Sequence, residues 1–140
     1  MRKQVELKFF ISYDTKHDSF EKDVIKLASH LCGGCYVGDG TGYWTEDGAN
    51  HQPRFFGELQ ADHCLQVVLS CEEHKAVEVY TNMRIGISAY AAVYKVDTDW
   101  VHVQKTEFTG MHFSAREVYE AMPRNVYRDI VSPGTRGARP

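Results

Sequence analysis

Residues 38–48 read Gly-Asp-Gly-Thr-Gly-Tyr-Trp-Thr-Glu-Asp-Gly, and this stretch separates two similar halves of the chain. Four glycines in eleven residues permit positive φ angles and close backbone approach, so the stretch predicts a loop or hairpin of special geometry. Two large aromatic residues and three acidic residues lie among the glycines. We therefore interpret the stretch as the mouth of a binding site. The alternative is a surface hairpin whose aromatic rings pack down onto the protein.

The first half of the chain predicts a strand, a helix and a second strand. Apolar residues alternate with other residues over positions 5–11, which is the period of a half-buried strand. Asp18 and Glu21 resemble a capping box, and the helix that follows them should end at Gly33. The second strand is predicted at residues 35–37 and 43–45, and the glycine-rich stretch between these parts interrupts or bends it.

The second half of the chain predicts the same kinds of elements in another order. A strand is predicted over residues 63–70, and residues 70–73 resemble a capping box for a long helix. Residues 100–108 predict a last strand. Ser114 should then cap one short final helix, which Pro123 stops.

This order of elements predicts an α+β fold, the ferredoxin-like βαββαβ sandwich. Its antiparallel sheet has two helices on one face, and a short C-terminal helix follows. We expect one domain over residues 1–131 and a flexible tail over residues 132–140. The second face of the sheet is too apolar to lie bare in water and too polar to be core. A symmetric homo-oligomer, most simply a trimer whose sheets face one another, would cover that face.

The composition argues against two classes of partner. The chain has 140 residues and a formal net charge of −3, with no basic stripe of the kind that nucleic-acid-binding proteins carry. No apolar run approaches the roughly 20 residues that span a bilayer. The N-terminus enters a strand directly, without the apolar segment of a signal peptide, so we expect a cytoplasmic protein.

The cysteines and histidines do not predict a cofactor or a metal site. Cys32 and Cys35 have the spacing of a redox or metal-binding pair. They flank the C-terminus of the first helix, where the helix dipole disfavours a thiolate. Zinc would need two more ligands, and Cys64 and Cys71 do not form a second such pair. We therefore expect reduced thiols, and the seven histidines show no metal-cluster spacing.

Carboxylates near the glycine-rich stretch indicate a cationic ligand. They lie in or after that stretch and at the far end of the last strand: Glu46, Asp47, Glu58, Asp62 and Glu107. A cation over the ring of Tyr43 or Trp44, beside such acids, gains about 0.5–2 kcal/mol of cation–π energy in addition to charge pairing. The alternative is that these acids are solvated surface groups.

Three short segments carry a resemblance to a known family. They are Gly-Tyr-Trp at the second strand, Val-Val-Leu-Ser-Cys before a long helix rich in Ala and Tyr, and Trp-Val-His-Val-Gln in the last strand. In this layout the chain resembles the PII-like superfamily, and it is most similar to the phage-encoded S-adenosylmethionine lyases over roughly residues 4–108. The resemblance implies a homotrimer in the host cytoplasm. Such a trimer binds its sulfonium substrate between subunits and releases methylthioadenosine and homoserine lactone.

The resemblance also implies roles for individual residues. The family's aromatic residue near the sulfonium falls on Tyr43 or Trp44, and its glutamate at the start of the third strand falls on Asp62-His63, with Glu58 four residues earlier. The implied site comprises the catalytic candidates Glu58, Glu107 and Glu46 and the substrate-binding candidates Tyr43, Trp44, His63 and Gln104, without a metal. The alternative is a PII-like regulatory protein that binds or sequesters a nucleotide without turnover.

Overall fold

The computed structural model describes residues 2–98 and 100–132, and the chain divides into two compact units, Met1–Thr109 and Gly110–Pro140. The elements in chain order are β1 (Arg2–Tyr13), α1 (Asp18–Cys32), β2 (Tyr36–Thr45), β3 (Leu59–Glu72), α2 (Ala76–Tyr94), β4 (Val101–Gly110), α3 (Ala115–Ala121) and α4 (Arg124–Val131). Apart from residue 132, the predicted tail lies outside the described residues. The single-domain boundary stays a prediction.

The first unit contains a four-stranded sheet in the order β2-β3-β1-β4, in which β3 runs antiparallel to both β1 and β2. Alternate residues of β1 and β3, such as Phe9 and Val67, are buried beneath apolar residues of α1 and α2, such as Val24 and Met83. Both helices therefore cover the same face of the sheet. The α+β class and the antiparallel sheet are as predicted, and they are compatible with a ferredoxin-like fold.

The glycine-rich stretch does not form the predicted interruption. Strand β2 is unbroken, and it pairs with β3 residue by residue from Tyr36 opposite Val68 to Thr45 opposite Leu59. This ladder holds the backbone extended, so the glycines of β2 need no special geometry. Among the described residues, the glycine with a positive φ is Gly33, at 81°, where it caps the C-terminus of α1 as predicted.

Both predicted capping boxes are wrong. Helix α1 is capped by His17, whose Nδ1 accepts a hydrogen bond from the backbone N–H of Phe20 at 3.2 Å. Glu21 cannot reach back to the cap because its side chain is buried and bonded to Tyr13. The second predicted capping box, residues 70–73, lies mostly in β3, which continues to Glu72 because residues 70–72 still pair with β1. A 3₁₀ turn follows, and α2 begins only at Ala76.

The second unit contains two short helices where the sequence predicted one. Ser114 caps α3 as predicted, since its Oγ accepts a hydrogen bond from the backbone N–H of Glu117 at 3.2 Å. Pro123 ends that helix but also precedes α4 as its N-cap, because a proline is well tolerated beside the first turn of a helix. Within the described residues, every helix is too short or too polar to cross a membrane.

Candidate functional site

The alternation of β2 and β3 assigns their side chains to two faces of the sheet. Leu65 and Val67 are buried beneath the helices, so odd-numbered residues of β3 lie on the helix face and even-numbered residues on the open face. Tyr43 pairs with Ala61 and therefore lies on the helix face, whereas Trp44 pairs with Gln60 on the open face. The two candidate aromatic residues thus project in opposite directions.

Trp44, Glu46, Glu58 and Gln60 share the open face at one end of the β2–β3 pair, and we name these four residues the open-face patch. The backbone N–H of Glu46 donates to the carbonyl of Glu58 at 3.1 Å, so the two glutamates lie opposite each other. The amide Nε2 of Gln60 donates to Oε1 of Glu46 at 3.1 Å. Two carboxylates and one amide therefore lie on the same face as the Trp44 indole, which is 38% exposed.

The carboxylate of Asp47 fixes the loop that connects Glu46 to Glu58. The carboxylate of Asp47 accepts backbone hydrogen bonds from Phe56 and Gly57, each at 3.0 Å, and a side-chain bond from Gln52 at 2.8 Å. The bond from the Phe56 N–H is the main cause that lowers the pKa of Asp47 to about 2. A Cβ on Gly57 would lie 2.7 Å from Oδ1 of Asp47, so only glycine fits there. Asp47 therefore stabilises the loop, and its carboxylate oxygens are already bonded within the protein.

The candidates on β4 lie at the other edge of the sheet. The ring of His102 lies 5.8 Å from that of Phe10, and its Nε2 is 3.2 Å from Nε2 of Gln104, so Gln104 is on the open face. By alternation, Glu107 is on the helix face with Val103. Three strand spacings separate β4 from β2, a distance of roughly 14 Å. One subunit therefore does not bring Gln104 or Glu107 to the open-face patch.

His63 lies on the helix face, where it belongs to a second group of polar residues. This helix-face cluster consists of residues from the end of β1, the start of α1, the middle of β2 and the start of β3: Tyr13, Lys16, Glu21, Asp39 and His63. The hydroxyl of Tyr13 donates to Oε2 of Glu21 at 2.5 Å, and Nζ of Lys16 donates to Oε1 at 2.9 Å. Lys16 also lies 3.5 Å from Oδ2 of Asp39.

His63 occupies the centre of the helix-face cluster. Its Nε2 lies 3.5 Å from Oε2 of Glu21 and 3.2 Å from Oδ1 of Asp39. Neither oxygen has hydrogen-bond geometry, and among the described residues this buried nitrogen has no hydrogen-bond partner. The ligand atoms of Glu21, Asp39 and His63 all lie within 4.8 Å of one another, which is compatible with a metal ion.

The cluster keeps its charges although Glu21 is buried. Burial raises the pKa of Glu21, but the hydrogen bonds from Tyr13 and Lys16 outweigh it, so that the pKa lies below the ordinary value. Burial, together with the bond to Glu21, raises the pKa of the Tyr13 hydroxyl. The bond to Glu21 raises the pKa of Lys16 as well. Glu21 therefore stays a carboxylate and Lys16 an ammonium around neutral pH.

The sequence interpretation missed Glu21, Asp39 and Lys16. Glu21 lies three and seven residues before Val24 and Ala28, and this helical spacing would have placed it on the buried stripe of α1. The capping-box pattern concealed that signal. Asp39 could not be assigned to a face while β2 was interpreted as an interrupted strand.

The four cysteines are free thiols, and two of them are hard to ionise. Burial raises the pKa of Cys32 to about 11 and also raises the pKa of Cys71. Sγ of Cys35 lies 3.5 Å from Oγ of Ser29. The raised pKa values make Cys32 and Cys71 weak nucleophiles.

No protein-family model matches the chain, and no curated protein matches it. Solved structures with a similar fold include a Bacillus cereus protein related to NIF3, at 11% identity over 79% of this chain and with a TM-score of 0.48. This chain covers 27% of that protein. A phage SAM lyase in complex with S-methyl-5'-thioadenosine is 14% identical and has a TM-score of 0.46. The match covers 79% of this chain and 93% of the lyase chain.

A third similar structure is the periplasmic divalent cation tolerance protein CutA from Archaeoglobus fulgidus. It is 8% identical, with 81% of this chain and 92% of that chain covered and a TM-score of 0.38. At these identities the likeness concerns the fold alone. The structure therefore shows an α+β chain with a four-stranded antiparallel sheet, compatible with a ferredoxin-like fold, and with acidic side chains on both faces of that sheet.

Proposed function

We propose that this chain is a homotrimeric enzyme that binds S-adenosylmethionine on the open face of its sheet and cleaves it to methylthioadenosine and homoserine lactone. The proposal rests on the open-face patch, in which Glu46 and Glu58 lie opposite each other on the same face of the sheet as Trp44. The Gly-Tyr-Trp and Val-Val-Leu-Ser-Cys segments, which resemble the phage lyases, direct the choice of substrate.

The open-face patch has the chemistry that a sulfonium amino acid requires. The face of an indole attracts a cation, and a carboxylate pairs with an ammonium group. In this arrangement Trp44 holds the sulfonium, and Glu46 or Glu58 orients the substrate's ammonium. Asp47 cannot compete for the ligand because its oxygens are used within the loop.

The reaction requires the protein to position the substrate, and it does not require a reactive side chain. The substrate's own carboxylate attacks its γ-carbon and forms the lactone C–O bond. The C–S bond breaks at the same time, and its electron pair goes to sulfur, which leaves as a neutral thioether. No proton moves and no outside nucleophile is needed. Holding the folded substrate in a partly dehydrated site can supply most of the acceleration.

Assembly with the open faces inward would complete this site. Trp100 is 82% exposed and Tyr36 is 81% exposed at the two edges of the sheet, so a second subunit would bury large apolar surfaces. Such an assembly can also bring Gln104 of one subunit to the patch of another. Light scattering at micromolar concentration should then give three times the 16.0 kDa chain mass. A mass of 16.0 kDa would contradict the trimer.

The enzyme is tested with purified protein and S-adenosylmethionine, by chromatographic detection of methylthioadenosine and by calorimetric titration. We expect Trp44→Ala to weaken binding by about 0.5–2 kcal/mol from the lost cation–π contact. Glu46→Gln and Glu58→Gln should lower turnover. Tyr43→Ala is the matched control, because it removes a neighbouring aromatic ring from the other face.

Two outcomes would decide against this assignment. If the parent protein neither binds nor converts S-adenosylmethionine but binds ATP, the nucleotide-binding function replaces the lyase. If it converts the compound and Tyr43→Ala is impaired while Trp44→Ala is not, the site lies on the helix face. Glu107→Gln should match the parent, since Glu107 lies on the helix face at the other edge of the sheet.

A further inference from the structure

We propose that Glu21, Asp39 and His63 form a binding site for one divalent transition-metal ion, such as Zn²⁺, on the helix face of the sheet. This site is separate from the open-face patch and does not depend on the proposed lyase activity. Its residues come from α1, β2 and β3, so the fold, and not a single motif, brings them together.

The distances within the group match those of a metal site. Bonds from Zn²⁺ to histidine nitrogen and carboxylate oxygen are about 2.0–2.2 Å long, so two ligands of a tetrahedral ion lie roughly 3.3–3.6 Å apart. Nε2 of His63 is 3.5 Å from Oε2 of Glu21 and 3.2 Å from Oδ1 of Asp39. The third pair of ligand atoms, on Glu21 and Asp39, lies within 4.8 Å, so His63 is already at metal-site distance from both carboxylates and the two carboxylates lie close enough to share an ion.

The geometry at His63 favours an ion over a direct hydrogen bond. Its Nε2 is buried, yet among the described residues it has no hydrogen-bond partner although two carboxylate oxygens are near. Ligand atoms around a metal point at the ion and not at one another, which leaves them close but misaligned. An unsatisfied buried nitrogen is costly, and binding an ion would remove that cost.

Both carboxylates are also held by contacts from residues outside the three ligands, to the remaining oxygens from Lys16 and to the ligand oxygen of Glu21 from Tyr13. Lys16 contacts Oε1 of Glu21 and Oδ2 of Asp39, which are the oxygens that face away from His63. The Tyr13 hydroxyl donates to Oε2 of Glu21 at 2.5 Å. Such outer contacts fix the orientation of ligating carboxylates in metal sites. Lys16 therefore supports the ligands without occupying the space between them.

The donor set and its charge indicate the class of ion. One imidazole nitrogen and two carboxylate oxygens suit Zn²⁺, Co²⁺ or Mn²⁺, whereas a copper(I) site would use sulfur ligands. With His63 neutral, the two carboxylates and Lys16 sum to one negative charge, which a divalent cation compensates. The three protein ligands leave a fourth position open to water or another small ligand.

The test is titration of chelator-treated protein with Co²⁺, followed by visible absorption and by calorimetry, in the absence of S-adenosylmethionine. We expect one ion per chain and a spectrum without the intense charge-transfer bands of thiolate ligands. Asp39→Asn and His63→Gln should each weaken binding by more than tenfold. Tyr13→Phe, which removes an outer contact, should weaken it by about 10–100-fold.

Matched controls separate this site from other ligands. Asp62→Asn changes a neighbouring carboxylate on the other face, and Cys32→Ser removes a thiol; both should bind Co²⁺ like the parent. Asp39 is 52% exposed, so Asp39→Asn should fold even if His63→Gln does not, and circular dichroism checks each variant. The proposal is wrong if the parent binds no ion, if Asp39→Asn binds normally, or if thiolate bands appear.

Discussion

The two faces of the sheet carry similar groups in opposite surroundings. On the helix face, Tyr13 and Glu21 are buried and bonded to each other. On the open face, Trp44 and Glu46 are exposed to solvent, and the carboxylate of Glu46 accepts a hydrogen bond from the exposed amide of Gln60. The ring and the carboxylate on the helix face are therefore buried and bonded to each other, whereas those on the open face, Trp44 and Glu46, are accessible to a ligand.

This difference in burial predicts which substitutions affect the stability of the fold and which affect ligand binding. A buried carboxylate must have partners within the protein, because an unpaired one is costly to fold. An exposed carboxylate carries no such requirement, so it remains available to a ligand or to another subunit. We therefore expect changes at Tyr13 and Glu21 to reduce stability, and the matched changes at Trp44 and Glu46 to reduce the binding of S-adenosylmethionine.

The largest effect should come from truncating the aromatic rings of the two faces. Tyr13→Ala removes a fully buried ring from the core and should lower the free energy of unfolding by about 3–5 kcal/mol. Trp44→Ala should cost much less, because part of its side chain already contacts water. Urea denaturation of both variants measures the difference. Equal losses would contradict the distinction between the two faces.

Truncating the carboxylates should give a smaller effect in the same direction. Glu21→Ala leaves the Tyr13 hydroxyl buried without its acceptor, which should cost about 1–3 kcal/mol. Glu46→Ala is a surface change and should stay within about 0.5 kcal/mol of the parent. Chemical denaturation again reports the values. If Glu46→Ala proves the more destabilising, Glu46 serves the fold and is a poor candidate for a ligand contact.

The sequence predicted the α+β class and most of the strands and helices because their hydrophobic periods are long and regular. The alternation over residues 5–11 and the stripe through Val24 are signals that the core itself requires. The first capping box failed because Glu21 has the spacing both of a cap and of a buried stripe, and tertiary burial decided between them. The second failed because residues 70–72 pair with β1 and continue β3.

The candidate sites were harder to predict because each depends on strand register. Tyr43 and Trp44 are neighbours in sequence, yet they lie on opposite faces, and only the pairing of β2 with β3 shows which one joins Glu46. Likewise, the approach of Asp39 to His63 follows from α1, β2 and β3 together. The glycines predicted a loop or hairpin of special geometry over residues 38–48, but pairing with β3 holds residues 38–45 in a regular strand.

The smallest expected effect is a pH-dependent change in the loop that connects Glu46 to Glu58. The pKa of Asp47 is lowered from 3.8 to about 2, chiefly by the backbone N–H of Phe56. A lowered folded-state pKa means that the stabilisation is fully present above the unfolded value of 3.8 and is lost as the pH falls through about 2. Amide NMR shifts of Phe56 and Gly57 should therefore titrate with a midpoint near pH 2.

Two variants sharpen this last measurement. Asp47→Asn keeps the size of the side chain but removes its titration, so the amide signals of Phe56 and Gly57 should lose their acid transition. Asp62→Asn, in β3, should leave that transition unchanged. A parent midpoint near 3.8 would show that the Asp47 carboxylate is free in solution. The loop between Glu46 and Glu58 would then lack the bonds from Asp47 to Phe56 and Gly57, which would weaken the case for the open-face patch as a preformed binding site.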